Sequence, residues 1–136
     1  MNRTNLLISI LIIIILMAVL LGFLLAYKSY EEPMYVENLE QGIEMLTGEI
    51  KNDADRIPKL AMYNELSRSK VMIDRHTKEK KKFSEEEMQE IYSNIGGKEG
   101  VLEYLKGIQD DAKRRNELQL AFDLKIISRN ELGEMW

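Results

Sequence analysis

Cysteine is absent from this sequence and histidine occurs once, as His76. No disulfide, thiolate metal site or cysteine nucleophile is available, and the chain carries no redox preference for either side of a membrane. One imidazole flanked by Asp74 and Glu79 among surface charges is a poor basis for a metal site or a general base. Excess positive charge is lacking too. Nineteen Lys and Arg face twenty-three Asp and Glu, for a net charge of −4, which argues against nucleic acid as a partner.

Phosphate-loop spacing is missing. Gly96-Gly97-Lys98-Glu99-Gly100 departs from G-x-x-x-x-G-K-[ST], and a helix boundary explains it better. Asp110-Asp111 and Glu85-Glu86-Glu87 are adjacent in sequence and diverge on a helix, whereas calcium loops place acids at alternate positions around a glycine. No nucleophile elbow, triad spacing, dinucleotide fingerprint or haem motif occurs. The expectation is a chain that is not an enzyme, with no metal and no cofactor.

Charge is also missing from one long stretch. Leu6 to Ala26, LLISILIIIILMAVLLGFLLA, is twenty-one residues without a charge, and Ser9 is its only polar side chain. At 1.5 Å per residue the run covers roughly 31 Å, the thickness of a bilayer's hydrocarbon core. A secretory signal's apolar region would be about 7–15 residues and end at an A-x-A-like site, which Leu24-Leu25-Ala26-Tyr27-Lys28 does not offer. The reading is an uncleaved signal anchor: a tail at 1–5, a transmembrane helix at 6–27 and an extramembrane domain at 28–136.

Arg3 and the α-amine precede the span, and Lys28 alone follows closely. The bias of cations toward the cytoplasm favours an N-terminus inside and a domain outside, in the inner (cytoplasmic) membrane of a bacterium. Ala18, Gly22 and Ala26 recur every fourth residue, a small-residue stripe on which a second helix can pair. Tyr27, Lys28 and Tyr30 suit the membrane interface.

Beyond the span the charge alternates. Residues 28–57 carry three cations and eight acids, 58–82 eight and three, and 83–136 seven and twelve. Such blocks fit neighbouring elements that complement one another. Pro33 stops or kinks the first helix. Val36, Leu39, Ile43, Leu46 and Ile50, spaced three and four apart, predict a narrow apolar seam on an acidic helix at 33–57, paired between chains or, preferably, folded back within one.

Pro58 then opens a basic helix at 58–82 with Leu60, Tyr63, Leu66, Ser69, Val71 and Ile73 on its apolar side. Lys78-Glu79-Lys80-Lys81-Lys82 reads as a solvated loop, and as a contact for anionic lipid if it faces the cytoplasm. Ser84-Glu85-Glu86-Glu87 is a capping box, and Gly96-Gly97 closes the helix that it opens. One long helical pattern follows from Val101 to Ile126. Ser128-Arg129-Asn130-Glu131 is a second box, before a short helix with Leu132, Met135 and Trp136.

The expected fold class is therefore all-α, with a single N-terminal transmembrane helix and a small helical domain of four to five helices at 28–136. The expected function is a membrane-anchored interaction module, an accessory or scaffolding subunit of a membrane or envelope protein complex. A regulator or inhibitor of a membrane machine, of the kind phages and mobile elements carry for lysis control or exclusion, is the alternative. Expected partners are the lipid bilayer, another membrane or envelope protein, and a second copy of the chain.

Overall fold

The computed structural model describes residues 2–29 and 32–136, apart from the side chains of 25–29. It divides into two units, Met1–Glu32 and Pro33–Trp136. The first is a single helix, α1 (Arg3–Ser29). Its apolar stretch is long enough to cross a membrane, and the side chains from Arg3 to Leu24 are exposed. Ser9 Oγ donates to the Asn5 carbonyl at 2.9 Å, so the stretch's one hydroxyl is satisfied inside the helix. The anchors Tyr27, Lys28 and Tyr30 lie outside the residues whose side chains are described.

The second unit is mostly helical but not all-α. It holds β1 (Met34–Val36), α2 (Leu39–Thr47), a 3-10 turn at Asp53–Asp55, α3 (Arg56–Leu66), β2 (Val71–Asp74), β3 (Lys80–Lys82), α4 (Glu85–Ile95), α5 (Gly97–Gly107), α6 (Asp111–Asp123) and α7 (Arg129–Met135). Six α-helices thus follow α1 among the described residues, where four or five were expected. The strands form one sheet in the order β1-β2-β3. β1 runs parallel to β2, with Tyr35 opposite Ile73, and β2 runs antiparallel to β3, with Val71 opposite Lys82 and Ile73 opposite Lys80.

Neither of the first two predicted helices is continuous. In the acidic stretch 33–57, Met34-Tyr35-Val36 is a strand, Asn38 caps α2 by accepting from the Gln41 N–H, and the helix stops at Gly48. The apolar seam is nonetheless a packing surface. Leu46 is buried, and Val36, Leu39, Ile43 and Ile50 pack against the same core from a strand, a helix and a loop. Contacts with one core reproduced helical spacing across three kinds of backbone. The basic stretch 58–82 is helical only to Leu66. Beyond it Val71 and Ile73 stand two apart, the period of a strand, and Lys70 takes a left-handed φ of 62° that no helix continues through.

The later helices follow their end signals. Ser84 with Glu87 and Ser128 with Glu131 each make both bonds of a capping box, opening α4 and α7. The long pattern from Val101 to Ile126 divides at Gly107, and Asp110 restarts it as the N-cap of α6, accepting from Ala112 and Lys113 N–H groups. α6 ends in a Schellman motif: Lys125 N–H reaches the Phe122 carbonyl and Ile126 N–H the Ala121 carbonyl. The left-handed position, usually glycine, is held by Lys125 at φ 63°. The buried apolar core runs from Met34 to Ile127 and takes no described side chain from α1.

Candidate functional site

Three features of the molecule bear on what it binds. The first is α1. Ala18 and Gly22 lie on its exposed surface, and a Cβ built on Gly22 meets nothing within 4 Å, so that face is open to another helix. Ala26, the third residue of the stripe, lies outside the residues whose side chains are described. The Val36, Leu39, Ile43, Leu46 and Ile50 seam, by contrast, is occupied within the chain.

The second feature is the sheet, fixed by one carboxylate. Asp74 is only 5% exposed. Its Oδ1 accepts from the His76 and Thr77 N–H groups at 2.8 and 3.0 Å, and its Oδ2 from the Leu39 N–H at 3.0 Å. One side chain thus ties the β2–β3 turn to the first residue of α2, where a negative charge is favoured. These donors, Thr77 first and then Leu39 and His76, hold its pKa below the ordinary carboxylate value. His76, the one histidine and a poor basis for a general base from its sequence context, is exposed, with Nε2 2.9 Å from Glu37 Oε2, while Arg75 Nη1 is 3.4 Å from Glu37 Oε1. Among the described residues no three His, Asp or Glu side chains are arranged to hold a metal ion.

Strand alternation gives the sheet two different faces. Met34, Met72 and Asp74 point inward. Lys81 shares that side: its ammonium lies over the Phe83 ring, 5.4 Å from the centroid, and pairs with Glu87 at 2.9 Å. Tyr35 is exposed, Val71 and Ile73 are half-buried, and none of the three packs against the core. Their cross-strand neighbours Lys80 and Lys82 are exposed as well. Among the described residues Lys78, Lys80 and Lys82 hold no ion pair, whereas Lys70 pairs with Glu85. The sequence signal for this face was missing: Val71-Met72-Ile73 is a run of three apolar residues before Asp74, and the alternation of the two faces appears only in the burial.

The third feature is an open groove of about 850 Å³ lined by Asp53, Arg56, Glu103, Tyr104, Asp110 and Lys113, among others. Arg56 is committed to structure. Its guanidinium donates to the Ile95 carbonyl at the end of α4 and, through Nε, to Asp53 Oδ1 at 3.2 Å. Gly96, at φ +84°, leaves room for it: a Cβ there would sit 2.8 Å from Arg56 Nη1. The Tyr104 hydroxyl is buried without a hydrogen-bond partner. Its burial, and then Glu117 and Asp53, push its pKa upward, so it stays protonated at neutral pH. Gly96-Gly97-Lys98-Glu99-Gly100 is the α4–α5 junction rather than a phosphate cradle.

In comparisons with known proteins, no family model, no curated protein and no solved structure matches this chain.

Proposed function

We propose that this chain is a single-pass membrane-anchored interaction module, an accessory or scaffolding subunit of a membrane or envelope protein complex. The observation that carries the reading is α1: a helical span from Arg3 to Leu24, uncharged from Leu6 onward and exposed along its length. Sixteen of the residues from Leu6 to Ala26 are Leu, Ile, Val or Phe. At roughly −0.3 to −0.6 kcal/mol each, they favour insertion by about 5–10 kcal/mol as an upper bound. Water is the wrong solvent for that surface; lipid and the helices of other membrane proteins are the right ones.

The domain brings its own core, so α1 is an added address rather than a part of the fold. The N-terminus sits in the cytoplasm and the domain outside, following the cation bias of Arg3 and the α-amine against Lys28. Ala18, Gly22 and Ala26 form the face on which α1 meets a second copy or a partner's helix. Membrane fractions washed at high pH test the anchor: the full chain remains in the pellet, and residues 33–136 alone do not. Mild solubilisation then tests the module. A stable co-purifying membrane protein supports it, and a chain that purifies alone and monomeric counts against it. Gly22→Leu weakens self-association through the stripe, read as loss of a crosslinked dimer.

A further inference from the structure

We propose that the outward face of the sheet, built from Tyr35, Val71, Ile73, Lys80 and Lys82, is a docking surface for anionic lipid headgroups. The inference rests on the anchored reading above but not on which side the domain occupies: the lysine run by itself called for the cytoplasmic face, whereas the ring and apolar pair that the sheet sets beside it suit either headgroup layer. Its geometry comes from strand register, which lines up Tyr35, Ile73 and Lys80 across the three strands and sets Val71 beside Lys82 in the next row. Neighbouring strands are about 4.8 Å apart, so an aromatic ring, two aliphatic side chains and two ammonium groups share a patch roughly 10 Å across.

That combination matches the membrane interface, where aromatic rings sit at headgroup level and lysines bury their stems while their amines reach phosphate. The core does not use this face, and no described acid neutralises Lys78, Lys80 or Lys82. The same side chains blunt the sheet's edge against other strands, but that task needs neither Tyr35 nor the apolar pair beside them. Connectivity supplies the occupant. α1 ends at Ser29 and β1 begins at Met34. Whatever the arrangement of the two units, the chain between those residues spans at most roughly 18 Å. A bilayer holding α1 therefore keeps β1 within that reach of the end of α1, so docking of this face costs little translational freedom and is decided by its attraction for the headgroups.

The absence of cysteine makes the test direct. The full chain, with Thr77→Cys at the exposed hairpin turn carrying a fluorophore, is reconstituted into nanodiscs that contain a headgroup-attached quencher. Discs of phosphatidylcholine alone are compared with discs of phosphatidylcholine and phosphatidylglycerol. Quenching is expected to be strong only in the anionic discs. Lys80→Glu with Lys82→Glu should lower the docked-to-undocked ratio at least about 25-fold, at roughly fivefold per lysine. Lys80→Ala with Lys82→Ala should give a smaller loss of the same sign, and reversal at the exposed Lys106 and Lys113 should change nothing. Equal quenching in both lipids, unaffected by the Lys80 and Lys82 changes while the chain stays in the disc, overturns the docking surface and leaves the anchor standing. A chain that elutes apart from the discs overturns both.

Discussion

Replacing Gly96 by alanine should destabilise the domain far more than one methyl group suggests. Gly96 closes α4 at φ 84° and ψ 8°, in the left-handed region. An L side chain there costs about 1–2 kcal/mol. Its Cβ would also lie 2.8 Å from Arg56 Nη1 and 3.5 Å from the Gly100 Cα, so the guanidinium must give way. Arg56 would then lose its bond to the Ile95 carbonyl, and a hydrogen bond to a charged group is worth about 1.5–3 kcal/mol. Partial relaxation of the partly exposed arginine trims the sum, leaving a loss of about 2–4 kcal/mol. Because the core draws on no described side chain of α1, residues 33–136 are produced alone and unfolded in urea with helicity as the signal. At a slope near the middle of the usual range, about 2 kcal/mol per molar, the midpoint should fall by about 1–2 M. Gly107→Ala is the internal control. Nothing lies within 4 Å of its Cβ and its φ is not positive, so alanine there should be neutral or stabilising by a few tenths of a kcal/mol. A Gly96→Ala midpoint indistinguishable from that of Gly107→Ala would refute the account of the α4–α5 junction.

Lys125→Gly should stabilise the domain by about 0.5–1 kcal/mol, since glycine relieves the left-handed φ of 63° while both Schellman bonds remain; a lower urea midpoint would contradict it. Tyr104→Phe removes a hydroxyl that is buried without a partner, so stability should rise by about 1 kcal/mol, and a loss would show that the hydroxyl is satisfied. Acid should unfold the domain through three carboxylates whose folded pKa values lie below their unfolded ones: Asp74, held down first by the Thr77 N–H, Glu87, by Lys81, and Glu131, by the Ser128 N–H. The unfolded chain binds protons first, so their contribution is fully present above about pH 4–5 and is lost as pH falls through the folded values. Urea midpoints that stay level from pH 6 down to pH 3 would contradict this. High salt should weaken the Glu87 and Glu131 contributions, which involve Lys81 and Lys98, more than that of Asp74, which is held mainly by backbone N–H groups.

Features that a few adjacent residues decide were legible in the sequence. The apolar length from Leu6 to Ala26, both capping boxes and the Gly96 terminus each rest on local chemistry, and each appears as a helix or a helix end in the structure. The sheet was not legible, because its strands are three, four and three residues long and two of them sit inside apolar patterns that also satisfy helical spacing. Val36, Leu39, Ile43, Leu46 and Ile50 face one core because tertiary packing bends a strand, a helix and a loop toward it. The α6 terminus was hidden for a different reason. Its left-handed residue is Lys125, not glycine, and the cost of that conformation is offset by two backbone bonds and by the burial of Ile126.

Asp74 shows the same limit at the level of a single side chain. Its turn bonds to His76 and Thr77 are local, but its bond to Leu39 joins residues thirty-five positions apart. The outward face of the sheet depends on register in the same way: Tyr35, Ile73 and Lys80 become neighbours only once three strands are paired. Charge blocks were a partial guide. The basic segment meets acids at Lys70 with Glu85 and at Lys81 with Glu87, across the start of α4, and meets the acidic segment at Arg75 with Glu37, just beyond the paired ends of β1 and β2, rather than along an antiparallel helix pair.

The most direct test of the central claim is a pair of topology reporters, one fused after Trp136 and one ahead of Asn2, each active only outside the cytoplasm. A helix that spans the bilayer once, with its N-terminus inside, makes the first reporter active and the second silent in a chain of full length. Two reporters that agree, or a chain shortened by cleavage after the apolar stretch, would contradict the single-pass anchor on which the functional reading stands.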